Sequence, residues 1–84
     1  MIQSEPTRSL LRRLTLKAIP KLQGMELNDE RPLFDLGIDS LDHAKLLMTI
    51  EDELGIEIED EDINSLDSID SLVAYCQLRL TENP

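Results

Sequence analysis

The sequence predicts an all-α domain, and three observations support that class. The 84 residues are enough for one domain, 1–84, with a modest core. Apolar residues are mostly Leu and Ile, with one Tyr, one Phe and no Trp, which suits helices packed through aliphatic faces. Apolar positions also recur at helical spacing in three segments that Pro and Gly separate.

The first predicted helix has about three turns and ends at Pro20. Its apolar positions recur at helical spacing: Leu10, Leu11, Leu14 and Ala18. Possible N-terminal signals precede it at Ser4, Glu5 and Pro6. We expect the few residues before this helix, and residues 81–84 at the other end, to be frayed.

A long connection over residues 20–39 follows, with Pro and Gly as punctuation. It nevertheless carries six large apolar residues: Leu22, Met25, Leu27, Leu33, Phe34 and Leu36. A long loop with this composition should be pinned to the core, and such loops are often functional.

The second predicted helix runs from about Ser40 to Leu54, and Gly55 ends it. On a helical wheel, one side carries the expected core residues Leu46, Leu47, Ile50 and Leu54. The opposite stripe carries Leu41, Lys45, Met48 and Asp52. Two large apolar side chains among charges predict a docking surface for other proteins.

Residues 56–62 alternate apolar and acidic, but a lone strand would have no pairing partner. We therefore predict a tethered loop and a short helical turn around Asp60 to Ser65. A last helix from about Ser68 to Leu80 has its core stripe at Ile69, Leu72, Val73, Cys76 and Leu80. On that stripe, Cys76 is predicted to be a small buried hydrophobe and not a reactive thiol.

Charge is distributed unevenly along the chain, whose net charge is −10. Residues 1–21 are basic and the remainder is strongly acidic. Such a field disfavours nucleic acid and anionic membrane, and it attracts basic protein surfaces. A single cysteine fits a reducing compartment, so we expect a cytoplasmic protein, and no apolar run has the length of a membrane span.

The most informative stretch is Leu33-Phe34-Asp35-Leu36-Gly37-Ile38-Asp39-Ser40-Leu41, where a loop gives way to a helix. A phosphodiester on Ser40 would be favoured by the unpaired N–H groups and the dipole of the first helical turn. The stretch resembles the attachment site of acyl carrier proteins. The resemblance implies an antiparallel bundle of three main helices plus one short helix. It also implies 4′-phosphopantetheine, derived from coenzyme A, on Ser40, with Asp39 and Leu41 beside it.

The tripeptide Asp-Ser-Leu occurs twice, at residues 39–41 and 70–72, so the tripeptide alone does not identify the modified serine. Ser40 follows a loop and begins a helix, whereas Ser71 falls inside the first turn of the last helix. Leu72 also belongs to the core stripe of that helix. Context therefore favours Ser40 as the modified serine.

The resemblance implies a free-standing, monomeric carrier, not an enzyme, that presents acyl thioesters to other proteins. Its partners would be a phosphopantetheinyl transferase and acyl-loading, condensing and acyl-processing enzymes with basic docking surfaces. The docking residues would be Leu41, Asp42, Lys45, Met48, Glu51, Asp52 and Glu53. Departures from many fatty-acid carriers at Ala44, Lys45 and Glu59 favour a specialised acyl or polyketide pathway over general fatty-acid synthesis.

Three alternatives remain open from the sequence. His43, three residues after Ser40, with Asp39 and Asp42 nearby, could indicate a nucleophilic serine. The acidic residues 57–62 could bind calcium, although they lack the spacing of a strong loop site, so no metal site is predicted. Finally, the carrier fold could serve docking alone, without modification. His43 itself is expected to pack at the rim of the core, with contact to the arm or an acyl chain as the alternative.

Overall fold

Three α-helices and three short 3₁₀ turns form the protein, and no strand occurs in residues 6–82, the part that the computed structural model describes. Helix α1 spans Thr7–Ala18, α2 spans Ser40–Leu54 and α3 spans Ile69–Glu82. The 3₁₀ turns are Pro20–Leu22, Leu33–Leu36 and Asp60–Ser65. The predicted all-α class is confirmed. The predicted short helix is the third of these turns, and two further turns lie in a segment predicted as loop.

Helix α1 packs against both α2 and α3, so it joins the bundle together. Leu11 and Leu14 are fully buried, while Leu10 and Ala18 pack at the edge of the core. The helix begins after Pro6, and the chain leaves it at Ile19 and Pro20. The other two proposed start signals, residues 4 and 5, lie outside the described residues.

The connection between α1 and α2 is pinned to the core through four of the six apolar residues considered, of which Leu36 is partly buried against it. Leu22, Leu27 and Leu33 are buried. The expectation is wrong for Met25 and Phe34, which are 43% and 41% exposed. Which side chains are buried in this segment depends on the turns of the backbone. Hydrophobic periodicity does not predict their burial, because the segment is not one helix.

A charged cluster holds the middle of this connection against α1 and α3. The Arg8 and Arg12 guanidinium groups donate to the Asp29 carboxylate over 2.8 and 2.7 Å, and Arg8 also pairs with Asp70. The backbone N–H of Asp70 donates to the Asp29 carbonyl over 2.9 Å. Hydrogen bonds to Asp70 and then Asp29 raise the pKa of Arg8. Part of the basic N-terminal segment is therefore paired with the acidic remainder of the chain.

The two other helices supply most of the remaining core. In α2, Leu46, Leu47 and Ile50 are buried as predicted, and Leu54 is partly buried against them. Gly55 ends the helix in the left-handed conformation, at a φ of 67° that a side chain would strain. The sequence therefore specified both the boundaries and the inner face of α2.

The core stripe of α3 consists of Ile69, Leu72, Val73 and Cys76, all buried. The expectation for Leu80 is wrong, because it is 38% exposed near the end of the helix, where fewer neighbours cover it. Burial raises the pKa of the Cys76 thiol to about 11, so the thiol stays neutral and acts as a small buried hydrophobe, as predicted.

The ends of the chain are described only in part. The helix α3 continues through Glu82, beyond the predicted start of fraying at residue 81. Residues 1–5 and 83–84, for which fraying was also expected, lie outside the described residues. Within residues 6–82, none of the helices has the length and apolar character needed to cross a membrane.

Candidate functional site

Ser40 occupies the first helical position of α2, and its two acidic neighbours cap that helix. Asp39 is the N-cap residue: its carboxylate accepts from the Asp42 backbone N–H over 2.9 Å. In return, the Asp42 carboxylate accepts from the Asp39 N–H over 3.2 Å. This reciprocal capping box fixes the start of the helix. Ser40 itself is not needed for the cap.

The Ser40 side chain is exposed, and its hydroxyl makes no hydrogen bond to any other described residue. The N–H groups of Ser40 and Leu41 lie in the first turn, where helix geometry provides no intrahelical acceptor. The positive end of the helix dipole adds to these donors. The hydroxyl is thus free to be modified, in surroundings that favour an attached phosphate.

Lys21 brings a cation to the same helix start. Its ammonium group lies 2.8 Å from the Asp42 carboxylate and 3.5 Å from the Gly37 carbonyl oxygen. The hydrogen bond from Lys21, followed by that from the Asp39 backbone, lowers the pKa of Asp42, and Asp42 raises the pKa of Lys21. No local signal in the sequence connected Lys21 to this site, since 21 positions separate it from Asp42.

The second Asp-Ser-Leu tripeptide is placed differently. The Ser71 hydroxyl donates to the Ser68 carbonyl over 2.9 Å and accepts from the Ser68 N–H over 3.1 Å. The Ser71 N–H donates to the Ser68 hydroxyl oxygen over 3.1 Å. Ser71 is therefore part of the cap of α3, and its hydroxyl is engaged.

A cavity of about 350 Å³ lies beside Ser40, at the small end of the usual range of ligand pockets, ~300–1,000 Å³. Apolar walls come from Leu47, Met48, Ile58 and Ile63. Phe34, the exposed aromatic ring of the connection, also lines it. Sequence patterns did not predict this cavity, because its walls come from three segments that are distant in the chain.

His43 is 6% exposed and lines the same cavity. Its Nε2 lies 2.7 Å from the Leu66 carbonyl oxygen, and its ring is tilted against Phe34 with the centroids 5.2 Å apart. In the described part of the chain, no hydrogen bond joins His43 to the Ser40 hydroxyl. A triad needs such a bond and a carboxylate on the far nitrogen. The imidazole is instead fixed on a backbone carbonyl, which disfavours the nucleophilic-serine alternative.

The predicted docking face is apolar at its centre. Leu41 and Met48 are 64% and 62% exposed, one and a half to two turns apart on α2. Lys45 lies between them on the surface, and Asp52 is exposed further along the helix. Met48 also lines the cavity, together with the partly exposed Phe34.

The acidic rim of that face is more neutral than the sequence predicted. Asp42 pairs with Lys21, and Glu53 pairs with Lys17 over 3.0 Å. The Glu51 carboxylate accepts from the Ile58 N–H over 2.8 Å, so it holds the following loop, but this neutral donor does not pair its charge. Paired charges cancel at a distance beyond the ~8 Å Debye length at physiological salt, so long-range steering by this rim is weak.

No cluster of three or more His, Cys, Asp or Glu side chains suited to hold a metal ion occurs among residues 6–80. In the acidic stretch considered for calcium, the Asp62 carboxylate accepts from the Tyr75 hydroxyl over 3.0 Å. That contact ties the stretch to α3. The other carboxylates of the stretch lie on the surface.

A small helical bundle that presents a free serine hydroxyl at a helix start, beside a cavity, belongs to the class of carrier domains. Residues 13–76 match the family described as "Phosphopantetheine attachment site". Since the match covers more than half of the chain, the protein belongs to this phosphopantetheine-binding family. Its cofactor is covalently attached 4′-phosphopantetheine.

The fold is also similar to a solved structure, that of an acyl carrier protein from Thermotoga maritima. The TM-score is 0.77 and the sequence identity is 26%, over 98% of this chain and 100% of that chain. The predicted resemblance to acyl carrier proteins is thereby confirmed. The residues at the start of α2 fit the cofactor, since they combine an unbonded exposed hydroxyl and first-turn N–H donors.

Proposed function

We propose that Ser40 bears the 4′-phosphopantetheine arm and that the protein presents acyl groups on this arm to partner enzymes. The observation that supports the assignment best is the exposed Ser40 hydroxyl, free of hydrogen bonds to described residues, at the first position of α2. The other serine in the same tripeptide, Ser71, has its hydroxyl committed to a cap. When bound, the arm supplies a thiol that holds an acyl group as a thioester.

Attachment needs a nucleophilic hydroxyl and an external catalyst. The Ser40 oxygen would form a bond to the phosphorus on the pantetheine side of coenzyme A. The pyrophosphate bond breaks, adenosine bisphosphate leaves, and the hydroxyl proton passes to a base of the phosphopantetheinyl transferase. The chain supplies the first-turn N–H groups, which stabilise the phosphodiester. The His43 Nε2 donates to the Leu66 carbonyl, so this nitrogen cannot take the proton.

Partner enzymes would dock on the exposed face of α2, with Leu41 and Met48 as apolar anchors. Both side chains are more than 60% exposed, next to the arm. Asp42, Lys45, Asp52 and Glu53 surround these anchors, and Glu51 contributes by holding the adjacent loop. Because much of the acidic rim is paired internally, binding depends on apolar contact more than on charge.

Lys45 favours a carrier of a specialised acyl or polyketide pathway. It is exposed and forms no ion pair within residues 6–80, so it places a positive charge between the two apolar anchors. Such a charge selects against partners whose surfaces are basic there. A carrier for general fatty-acid synthesis is the second candidate. In either pathway, the protein would act in the cytoplasm as a monomer.

The test is to incubate the protein with coenzyme A, magnesium and a broad-specificity phosphopantetheinyl transferase, then measure intact and peptide masses. We expect a gain of one phosphopantetheine, located on the peptide that contains Ser40. A well-characterised carrier serves as the control for transferase activity. A folded protein that gains nothing, while the control is loaded, would contradict the carrier assignment and favour the unmodified docking module.

A further inference from the structure

The contacts of His43 determine the tautomer of its neutral imidazole. A carbonyl oxygen can only accept, so the 2.7 Å contact with Leu66 requires that Nε2 carries the proton and donates it. In the neutral imidazole, Nδ1 is then an acceptor with a free lone pair. The contact therefore determines which nitrogen faces any ligand as an acceptor.

The Nδ1 atom is open to the cavity. Among residues 6–80, no residue forms a hydrogen bond with the His43 Nδ1. Every fully buried side-chain nitrogen or oxygen in this range has a hydrogen-bond partner. The His43 Nδ1 has none, so it is not fully buried and must be accessible. Since residue His43 is only 6% exposed and lines the cavity beside Ser40, we assign that space to the cavity.

The distance to Ser40 along α2 fits the near end of the arm. Residues three apart on a helix are neighbours on one face, with about 5–6 Å between Cβ atoms. Counted from the phosphate, the first hydrogen-bond donors of 4′-phosphopantetheine are a secondary hydroxyl and then an amide N–H. An arm that leaves Ser40 along the cavity wall brings these donors to His43 before it brings the thiol there.

We propose that the His43 Nδ1 accepts a hydrogen bond from the phosphate-proximal hydroxyl or amide of the arm and holds that part of the arm against the cavity. The inference rests on attachment at Ser40. His43 would then be a positioning residue: it orders the root of the arm and leaves the thiol end free to reach partner enzymes. The bond to Leu66 and the Phe34 ring keep the imidazole in place for this role.

The chain contains one histidine, so a single imidazole can be followed by ¹⁵N NMR in the protein before and after loading. The spectra are recorded above the ordinary titration range of imidazole, after mass spectrometry has shown complete loading. We expect the Nδ1 resonance to move upfield on loading, as an imidazole nitrogen does when it accepts a hydrogen bond, while Nε2 stays protonated. An unchanged Nδ1 resonance in fully loaded protein overturns the proposal, whereas failure to load contradicts only the function proposed above.

A second measurement uses an arm labelled with ¹⁵N in its amides. In the unchanged protein, the amide nearest the phosphate should show restricted motion in the ¹H–¹⁵N NOE. In His43→Met, whose side chain has no strong hydrogen-bond acceptor, it should become as mobile as the distal amide. An arm analogue without the hydroxyl distinguishes the two donors, because the Nδ1 shift persists only if the amide is the donor. Asn64→Ala, on another wall of the cavity, is the matched control; equal loss of order in both variants overturns the assignment to His43.

Discussion

The two Asp-Ser-Leu tripeptides of this chain have the same composition and opposite roles. In the first, Ser40 is exposed with an unengaged hydroxyl, and Leu41 is 64% exposed. In the second, the Ser71 hydroxyl is bonded to Ser68, and Leu72 is completely buried. Identical residues at two helix starts therefore give an exposed, unengaged hydroxyl in one place and a helix cap in the other.

The difference is a shift of two positions relative to the helix start. Asp39 caps α2, so Ser40 is its first helical residue. In α3 the Ser68 carbonyl accepts the first helical hydrogen bond, from Leu72, so Ser71 is the third residue. The third residue reaches back to the cap, whereas the first does not. The role of the Asp-Ser-Leu tripeptide therefore depends on its position relative to the helix cap.

The largest effect should appear in loading by the transferase. Ser40→Ala should gain no phosphopantetheine, because the hydroxyl that forms the new bond is missing, and Ser71→Ala should be loaded to completion. Intact mass after identical incubations measures both. Loading of the Ser40→Ala protein would show that the two tripeptides are more alike than their geometry implies.

Substitution of the leucine in each tripeptide should have very different effects on the free energy of unfolding. Leu72→Ala removes a fully buried side chain and should lower the free energy of unfolding by ~2–5 kcal/mol. Leu41→Ala removes an exposed one and should change it by no more than about 0.5 kcal/mol. Urea unfolding followed by circular dichroism measures both values. A comparable loss in the two variants would contradict the assigned burial.

A smaller effect is expected from the serines themselves. Ser71→Ala removes the hydroxyl that accepts from the Ser68 N–H and donates to the Ser68 carbonyl, and it should cost about 1 kcal/mol of unfolding free energy. Ser40→Ala should stay within about 0.5 kcal/mol, since no bond to a described residue is lost. The same urea experiment serves, and equal stabilities of the two variants would argue against the cap at α3.

The smallest effect concerns pH, because the cap of α2 is ionic and the Ser68–Ser71 cap of α3 is neutral. Lys21 lowers the pKa of Asp42, so Asp42 stabilises the fold above its ordinary pKa of 3.8, and that contribution is lost as the pH falls through the lowered value. In Lys21→Met the folded-state pKa of Asp42 should rise toward 3.8, so Asp42 contributes less stability above that pH and less stability is lost on acidification. Carboxyl ¹³C titration of Asp42 measures this shift.

Lys45→Met is the control for that titration, because Lys45 contributes less than Lys21 to the lowered pKa of Asp42. It should move the Asp42 titration less. Equal shifts in both variants would mean that the 2.8 Å contact with Lys21 has no special role.

Local chemistry in the sequence was sufficient for most of the fold. The boundaries of α2 follow from Asp39 and Gly55, and the turn over Asp60–Ser65 was predicted with its observed limits. The apolar residues of the long connection were predicted less well, since Met25 and Phe34 are exposed. In helices the 3.6-residue period indicates which side is inside, but an irregular segment has no such period.

The sequence by itself determined the helices, their caps and the position of Ser40 at the start of α2, because each depends on residues within about one turn of one another. Tertiary structure alone decided that Lys21 neutralises Asp42, that Lys17 neutralises Glu53, and that the cavity forms beside Ser40. It also decided that His43 turns one nitrogen to the Leu66 carbonyl and leaves the other open. These contacts join residues 21 to 36 positions apart, and only the packing of the bundle brings such residues within hydrogen-bond distance.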